Sequence, residues 1–530
     1  MVRIGMVRIG IVRIAAGALI ALFISAAPQI ARADASLDWR QCAGDYPDEA
    51  ITACTDLIEH GHLSPANLSN AYIGRGSAYD DKHEYDPALA DYSKAIAFDP
   101  TNAMAYFDRA LLYYGHGDYD LAIADDTKVI ELDPSDVDAY DNRGVAHNQK
   151  GEYDLAIADY TTSIKLSPKN ATAYGDRGAA YYHQHAYDLA IADYATALKL
   201  DPTDATVYID RAGAYSDMGK PDLAIADLTK ALALAPTSPD AYTNRGLAYA
   251  NMGNFDQALA DYTKAIALDP KYATAYFQRG RVESAKHQYD LAIADYSQAI
   301  ALKPNSPEAF ANRGDLYANQ RHVNMAIADC TQAIALDPKN AFAYFCLGEA
   351  YGTGDTDRTI ANYSKAIELN PNFYQAYVNR SAFLAYAGRY DQAIADDTRA
   401  LELVPTSAFA YVDRCRAYWL DGKFDPAIAD CTQAITLDPK NTMAYLNRGA
   451  AYNGKGDTDH ALDDYTQALT IDPNLSDAYA GRGDILWKIG HRAEAIADLK
   501  RAVALDPSFA EVRTKLDTYQ KAMAGAPAKP

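Results

Sequence analysis

The sequence predicts an all-α solenoid, and three observations predict it. Thirteen prolines keep an almost constant step: Pro100, Pro134, Pro168, Pro202, Pro236, Pro270, Pro304 and Pro338 lie 34 residues apart, Pro371 arrives one residue early, and Pro405, Pro439, Pro473 and Pro507 resume the step. A fixed period of this size marks a repeat array. Inside one period, apolar and small residues recur at helical spacing in two separate halves. A helix-ending glycine stands between the halves and the proline closes the second. Units of this kind pack only on their neighbours, so a chain of 530 residues need not divide into several globular domains.

The elements follow in chain order. Residues 1–33 form a segment of their own. Arg3, Arg8 and Arg13 give a basic start without an acid, an apolar run covers 14–27, and Pro28 and Ala31-Arg32-Ala33 follow. This is the pattern of a secretory signal cut after Ala33. The run falls short of the roughly 20 residues that a spanning helix needs. The expectation is an exported chain, periplasmic or extracellular, with membrane association only if the segment stays uncleaved. The doubled Met-Val-Arg-Ile-Gly leaves both Met1 and Met6 open as the start.

The formal net charge is −22, and loss of the four arginines of 1–33 leaves 45 basic against 71 acidic residues, a net of −26. A surface this acidic repels phosphate backbones, so nucleic acid is not expected as a partner. It favours solubility and basic or apolar partners.

Residues 34–66 carry a partial unit. Cys42 and Cys54 flank a short turn with Gly44, Asp45 and Pro47, and a disulfide between them is expected. The other four cysteines, Cys330, Cys346, Cys415 and Cys431, fall in two pairs 16 residues apart. Disulfides and small buried thiols both remain open for them.

The array proper covers 67–507. In the unit from Ser135 to Pro168 the first half reads Ala139-Tyr140-Asp141-Asn142-Arg143-Gly144-Val145-Ala146-His147, and the second contains Leu155-Ala156-Ile157-Ala158-Asp159-Tyr160 and Ile164. Gly151 breaks the two, so each unit reads as two antiparallel helices of about 12 to 14 residues. Residues 508–523 read as a polar capping helix, and 524–530 as a loose tail.

This pattern resembles the tetratricopeptide repeat. With the recurring proline numbered 32, the family's aromatic at position 4 is Tyr106, Tyr140, Tyr174, Tyr208, Tyr242 or Tyr276. Its small residue at position 8 is Gly76, Gly144, Gly178, Gly246, Gly280, Gly314 or Gly449. Ala122, Ala156, Ala190, Ala224 and Ala258 stand at position 20, and Tyr92, Tyr160, Tyr194, Tyr262 and Tyr296 at position 24. The match covers 13 units, and Asp48 to Ile58 resembles a second helix preceding them. The resemblance implies a right-handed superhelix of about 13 helix-turn-helix units whose first helices line a concave groove. The small residues then let helices approach, and the tyrosines fill the wedges between units.

One departure recurs. Position 7, apolar in the family, is Arg in 12 of 13 units, and position 23 is Asp in 12 of 13. Both fail in the same unit, at Leu347 and Asn362. The two positions lie at nearly equal height in a helix pair, so an ion pair inside each unit is expected, as between Arg245 and Asp261. A charge beside a helix interface is retained when it is partnered.

The resemblance places groove residues at positions 2, 5, 9 and 12. These give Phe107, Leu111, Tyr114 and Tyr182, then Phe277, Phe342, Phe345, Phe409, Trp419 and Trp487. Aromatic side chains facing solvent mark binding surfaces, while rings packed on adjacent helices would fit the same pattern. The carboxylate clamp of some members needs Asn at position 9 and Lys at position 2. Neither occurs here, so a chaperone tail is not an expected partner.

No Gly-Lys-Ser/Thr phosphate loop and no Gly-x-Ser-x-Gly occurs, and His183-Gln184-His185 reads as solvated turn residues. Catalysis, cofactors and metals are therefore not expected. The expected function is a non-enzymatic protein–protein interaction scaffold in the cell envelope or secreted, binding a peptide or helix in the groove. The alternative is a glycan- or peptidoglycan-handling accessory protein that stacks sugars on groove aromatics.

Overall fold

The structure, a computed structural model, describes residues 39–524. The expected leader and the residues from 525 onward lie outside them. The described residues contain helices and turns and no strand. Contacts divide the chain into two compact units, the first ending at Gln278 and the second beginning at Arg279. In each unit consecutive helices pack in pairs, as in Val137–Gln149 with Tyr153–Leu166, or Thr442–Lys455 with Thr458–Ile471.

Local chemistry sets the ends of these helices. Side chains at the residue before the first helix accept a backbone N–H: Asp136 from Ala139, Asn170 from Ala173, Ser407 from Ala410 and Asn441 from Ala444. Each satisfies one donor that the helix start leaves unpaired. The turn inside a repeat needs one left-handed residue. Gly151 supplies it at φ +76°, whereas His185 and His287 adopt φ +60° and +59° at the equivalent place.

The helices pair through a close approach. A Cβ on Gly144 would stand 2.8 Å from the Tyr160 ring, and one on Gly246 would stand 2.7 Å from Tyr262. The tyrosine at position 24 therefore lies on the glycine of its own repeat, besides filling space towards the next. Tyr160, Tyr194 and Tyr262 are fully enclosed, as is the alanine at position 20. Leu228, Cys330, Cys431, Asp126 and Asp397 replace the ring in other repeats, and all are buried.

The Arg–Asp arrangement is bidentate. Arg245 donates from Nε and Nη2 to the two carboxylate oxygens of Asp261, both at 2.8 Å. The same pair of bonds forms at Arg75–Asp91, Arg143–Asp159, Arg313–Asp329 and Arg448–Asp464. A second arm is not evident from the pairing alone. Nη1 reaches a hydroxyl on the preceding repeat, as Arg143 to Thr127 at 3.0 Å and Arg380 to Ser364 at 2.8 Å. The guanidinium also lies over the position-4 tyrosine, 5.6 Å from the Tyr242 centroid in Arg245. One side chain thus ties two helices of its own repeat to the one before it.

The irregular repeat solves its packing differently. Its first helix stops early, Ala341–Tyr351, and a short 3₁₀ turn Gly352–Gly354 follows. Thr359 replaces the usual alanine, is fully buried, and donates its hydroxyl to the Gly352 carbonyl at 2.9 Å. Asn362 turns back to the Arg358 carbonyl at 2.8 Å, so no charge is stranded where the Arg–Asp pair is missing.

At the ends, Pro47–His60 forms the helix of the partial unit, and Cys54 is joined to Cys42 with S–S 2.05 Å. Cys330 is joined to Cys346, and Cys415 to Cys431. The last helix spans Ala510–Ala524. It takes in Ala524 from the expected tail. It leaves Ser508 out, because Ser508 bonds through its N–H and hydroxyl to the Asp506 carboxylate in a turn.

Candidate functional site

The site lies in the second unit, on four first helices, Ala341–Tyr351, Tyr374–Tyr386, Ala408–Leu420 and Thr442–Lys455, with Tyr363 from the second helix Thr356–Leu369. Equivalent faces of successive helices form a concave pocket of about 430 Å³. Positions 2, 5, 6 and 9 supply most of its wall. Val378, Ala382, Phe383 and Val412 form the apolar floor, and Phe409 and Met443 stand at the rim. Phe409 is 61% exposed and Met443 42%, which puts two large apolar side chains in reach of a ligand at this pocket.

The polar groups converge on this floor. Glu349 Oε1 accepts from the Tyr363 hydroxyl and from Asn379 Nδ2, each at 2.5 Å. Burial and the Glu349 carboxylate raise the Tyr363 hydroxyl well above its usual range, so it stays a donor. Burial pushes the Asp413 carboxyl up to about 6. Arg416 Nη2 stands 3.7 Å from Asp413 Oδ1, an ion pair at long range. Asp413 Oδ2, Arg416 Nε and Asn447 Nδ2 are all enclosed without a hydrogen-bond partner. One anionic, one cationic and one neutral side chain that line this cavity thus each keep an enclosed atom unsatisfied. The pocket wall carries no Ser, Cys, Lys or His, and among the described residues no group of three metal-ligand side chains converges.

Of the aromatics read from the sequence, Phe409 alone lines this pocket. Phe342 stacks on Phe345, and Phe345 also meets Tyr363 and Phe373 at centroid distances of 5.6 and 5.0 Å. Of the two arrangements the pattern allows, the position-12 aromatics make packing contacts with neighbouring elements. Tyr114 lies against Tyr119 and the Val145–Tyr160 cluster. Tyr182 lies against Tyr187 and donates its hydroxyl to Asp217. Trp419 packs over the Cys415–Cys431 pair. Trp487 stacks on Tyr519 at 3.9 Å, with Arg492 over its ring at 5.3 Å. All four of these rings are half-buried. Phe107 and Phe277 are half-buried.

Sequence reasoning passed over Glu349, Asp413, Arg416 and Met443. A signal existed for two of them. Position 9 holds Leu111, Val145, Ala179, Gly213 and Leu247 early in the array, but Arg281, Asp315, Glu349 and Arg416 later. Charge at a position that is otherwise small or apolar points to a polar wall.

The chain belongs to the tetratricopeptide repeat family. Family models described as tetratricopeptide repeats match 171–204, 239–272 and 443–475, 261–294 and 362–395, and 103–136, 307–340, 410–441 and 476–509. A model described as TPR repeat matches 76–117, 146–185, 212–253 and 280–320. No curated protein matches the chain. Solved structures similar to parts of it include MamA, 29% identical over 30% of this chain and 94% of that one with a TM-score of 0.29. A tetratricopeptide repeat protein from Parabacteroides merdae is 20% identical over 44% of this chain and 93% of that one, with a TM-score of 0.39.

Proposed function

We propose that this protein is an exported, non-enzymatic scaffold that holds a peptide segment or helix of another protein in the groove of its second unit. The observation that carries the reading is the pocket itself: exposed apolar side chains, Phe409 and Met443, stand over enclosed polar atoms without partners. Buried groups left unpaired cost about 1 to 3 kcal/mol each, and a ligand that draws the Arg416 and Asp413 side chains, 35% and 11% exposed, towards it recovers part of that cost on binding. A peptide backbone offers both. Export is supported by the leader pattern of 1–33 and by the pairing of every cysteine, which suits an oxidising compartment.

The test is site-specific photocrosslinking in the producing cell. A photoreactive residue at Met443 is expected to capture one defined envelope or secreted protein, and one at exposed Leu155 is not. Equal capture at both sites, or none at Met443, would refute the reading. The glycan alternative needs an open aromatic platform. Trp487 already has Tyr519 on one face and Trp419 is packed beside a disulfide, so saccharides are expected to leave the fluorescence of both unchanged.

A further inference from the structure

The polar atoms of the pocket also specify what kind of segment fits it, an inference that rests on the groove reading above. Two carboxylates, Glu349 and Asp413, share the cavity with one guanidinium, Arg416. The ionised pocket therefore carries one uncompensated negative charge. Asp413 is 9% exposed, and its Oδ2 has no donor. Arg416 does not satisfy it, because the nearest approach is 3.7 Å and goes to the other oxygen. An enclosed carboxylate oxygen of this kind gains most from a cationic donor, since charge-assisted bonds are roughly twice as strong as neutral ones.

Around this acceptor the remaining groups are of the opposite kind. Arg416 Nε and Asn447 Nδ2 are donors without acceptors, and a backbone carbonyl is the matching group on a peptide. Phe409 and Met443 at the rim offer apolar surface. We infer that the bound segment carries a lysine side chain seated on Asp413, with Glu349 a second negative charge on the same wall, a backbone carbonyl towards Arg416 and Asn447, and an apolar side chain beside the lysine covering Phe409 and Met443. An acidic segment would pair with Arg416 alone and leave two carboxylates facing its charge. The net charge of −22 on the whole chain steers the same choice.

Fluorescence anisotropy on the full chain tests this with three labelled dodecapeptides of Leu, Ala and Gly that differ at one central residue: lysine, its uncharged isostere norleucine, or glutamate. The lysine peptide is expected to bind at least tenfold more tightly than the norleucine peptide, with the glutamate peptide weakest. Asp413→Asn is expected to remove the lysine preference, and Glu349→Gln to reduce it partially. Circular dichroism melts of both variants check that the fold is kept. Lysine and norleucine peptides of equal affinity, both weakened by Phe409→Asp, would overturn this inference and leave the groove reading standing. A preference that survives both Asp413→Asn and Glu349→Gln would overturn it as well. Binding of all three peptides that ignores Phe409→Asp, or binding of none, would count against both.

Discussion

Replacing Arg245 by leucine isolates the contribution of the repeated guanidinium. The change removes two bonds of 2.8 Å to Asp261 and a longer one of 3.3 Å to Thr229 on the preceding repeat. It leaves the Asp261 carboxylate 6% exposed with no cation beside it. Removing one partner of a buried pair costs about 3 to 5 kcal/mol. The Arg245 side chain retains 19% of its exposure, so the lower end, about 3 kcal/mol, is the working value. Arg245→Leu with Asp261→Asn strands no charge and is expected to cost about half as much. Repeat nine carries the same combination naturally, with Leu347 and an Asn362 that finds a backbone carbonyl in its own helix. The array unfolds repeat by repeat, so one global unfolding energy is not the right measure. Native-state hydrogen exchange in Pro239–Asn251 and Phe255–Leu268 reads the local value, with Thr442–Lys455 as an internal reference. A double variant that costs as much as the sum of the two single variants would refute the pairing argument.

Three further outcomes follow from the packing. Gly144→Ala puts a methyl 2.8 Å from the enclosed Tyr160 ring, and overpacking of that kind is expected to cost about 1 to 3 kcal/mol in the same exchange measurement. His185→Gly relieves a left-handed backbone at φ +60° and is expected to stabilise its repeat by about 1 kcal/mol, seen as slower exchange in Ala171–His183. Burial raises the Asp126 carboxyl well above its ordinary range. A raised folded-state value favours the protonated native form, so this contribution is complete below about pH 4 and is lost as pH climbs through the folded value. Asp126→Asn is therefore expected to reduce the loss of exchange protection in Tyr119–Leu132 between pH 5 and pH 9, after correction for the intrinsic pH dependence of exchange, and an unchanged slope would contradict the assignment.

The step of 34 residues made the helix pairs, their turns and their stacking legible, because each repeat solves the same local problem with the same residue types. Paired exceptions at Leu347 and Asn362 were enough to match Arg with Asp across a helix pair. The hydroxyl arm of each guanidinium was not legible. It crosses to the preceding repeat, and Ser or Thr at position 25 has many ordinary uses. Aromatic content misled the reading of the site, since a ring has equal reason to bind a ligand or to fill a gap. Trp487 fills one against Tyr519 and Trp419 another beside Cys415, while Phe409 stays open.

The linear pattern of residues determined that this chain is a row of helical hairpins broken by glycine-bearing turns, with Arg matched to Asp inside nearly every repeat. Which wall would be polar, and where, was decided only when four helices were set side by side. Glu349, Asp413, Arg416 and Asn447 are spread over 99 positions of the chain, and burial in one concavity is what turns ordinary polar residues into unsatisfied ones. Sequence spacing specifies which face of a helix a residue occupies, but desolvation depends on what the neighbouring helices cover.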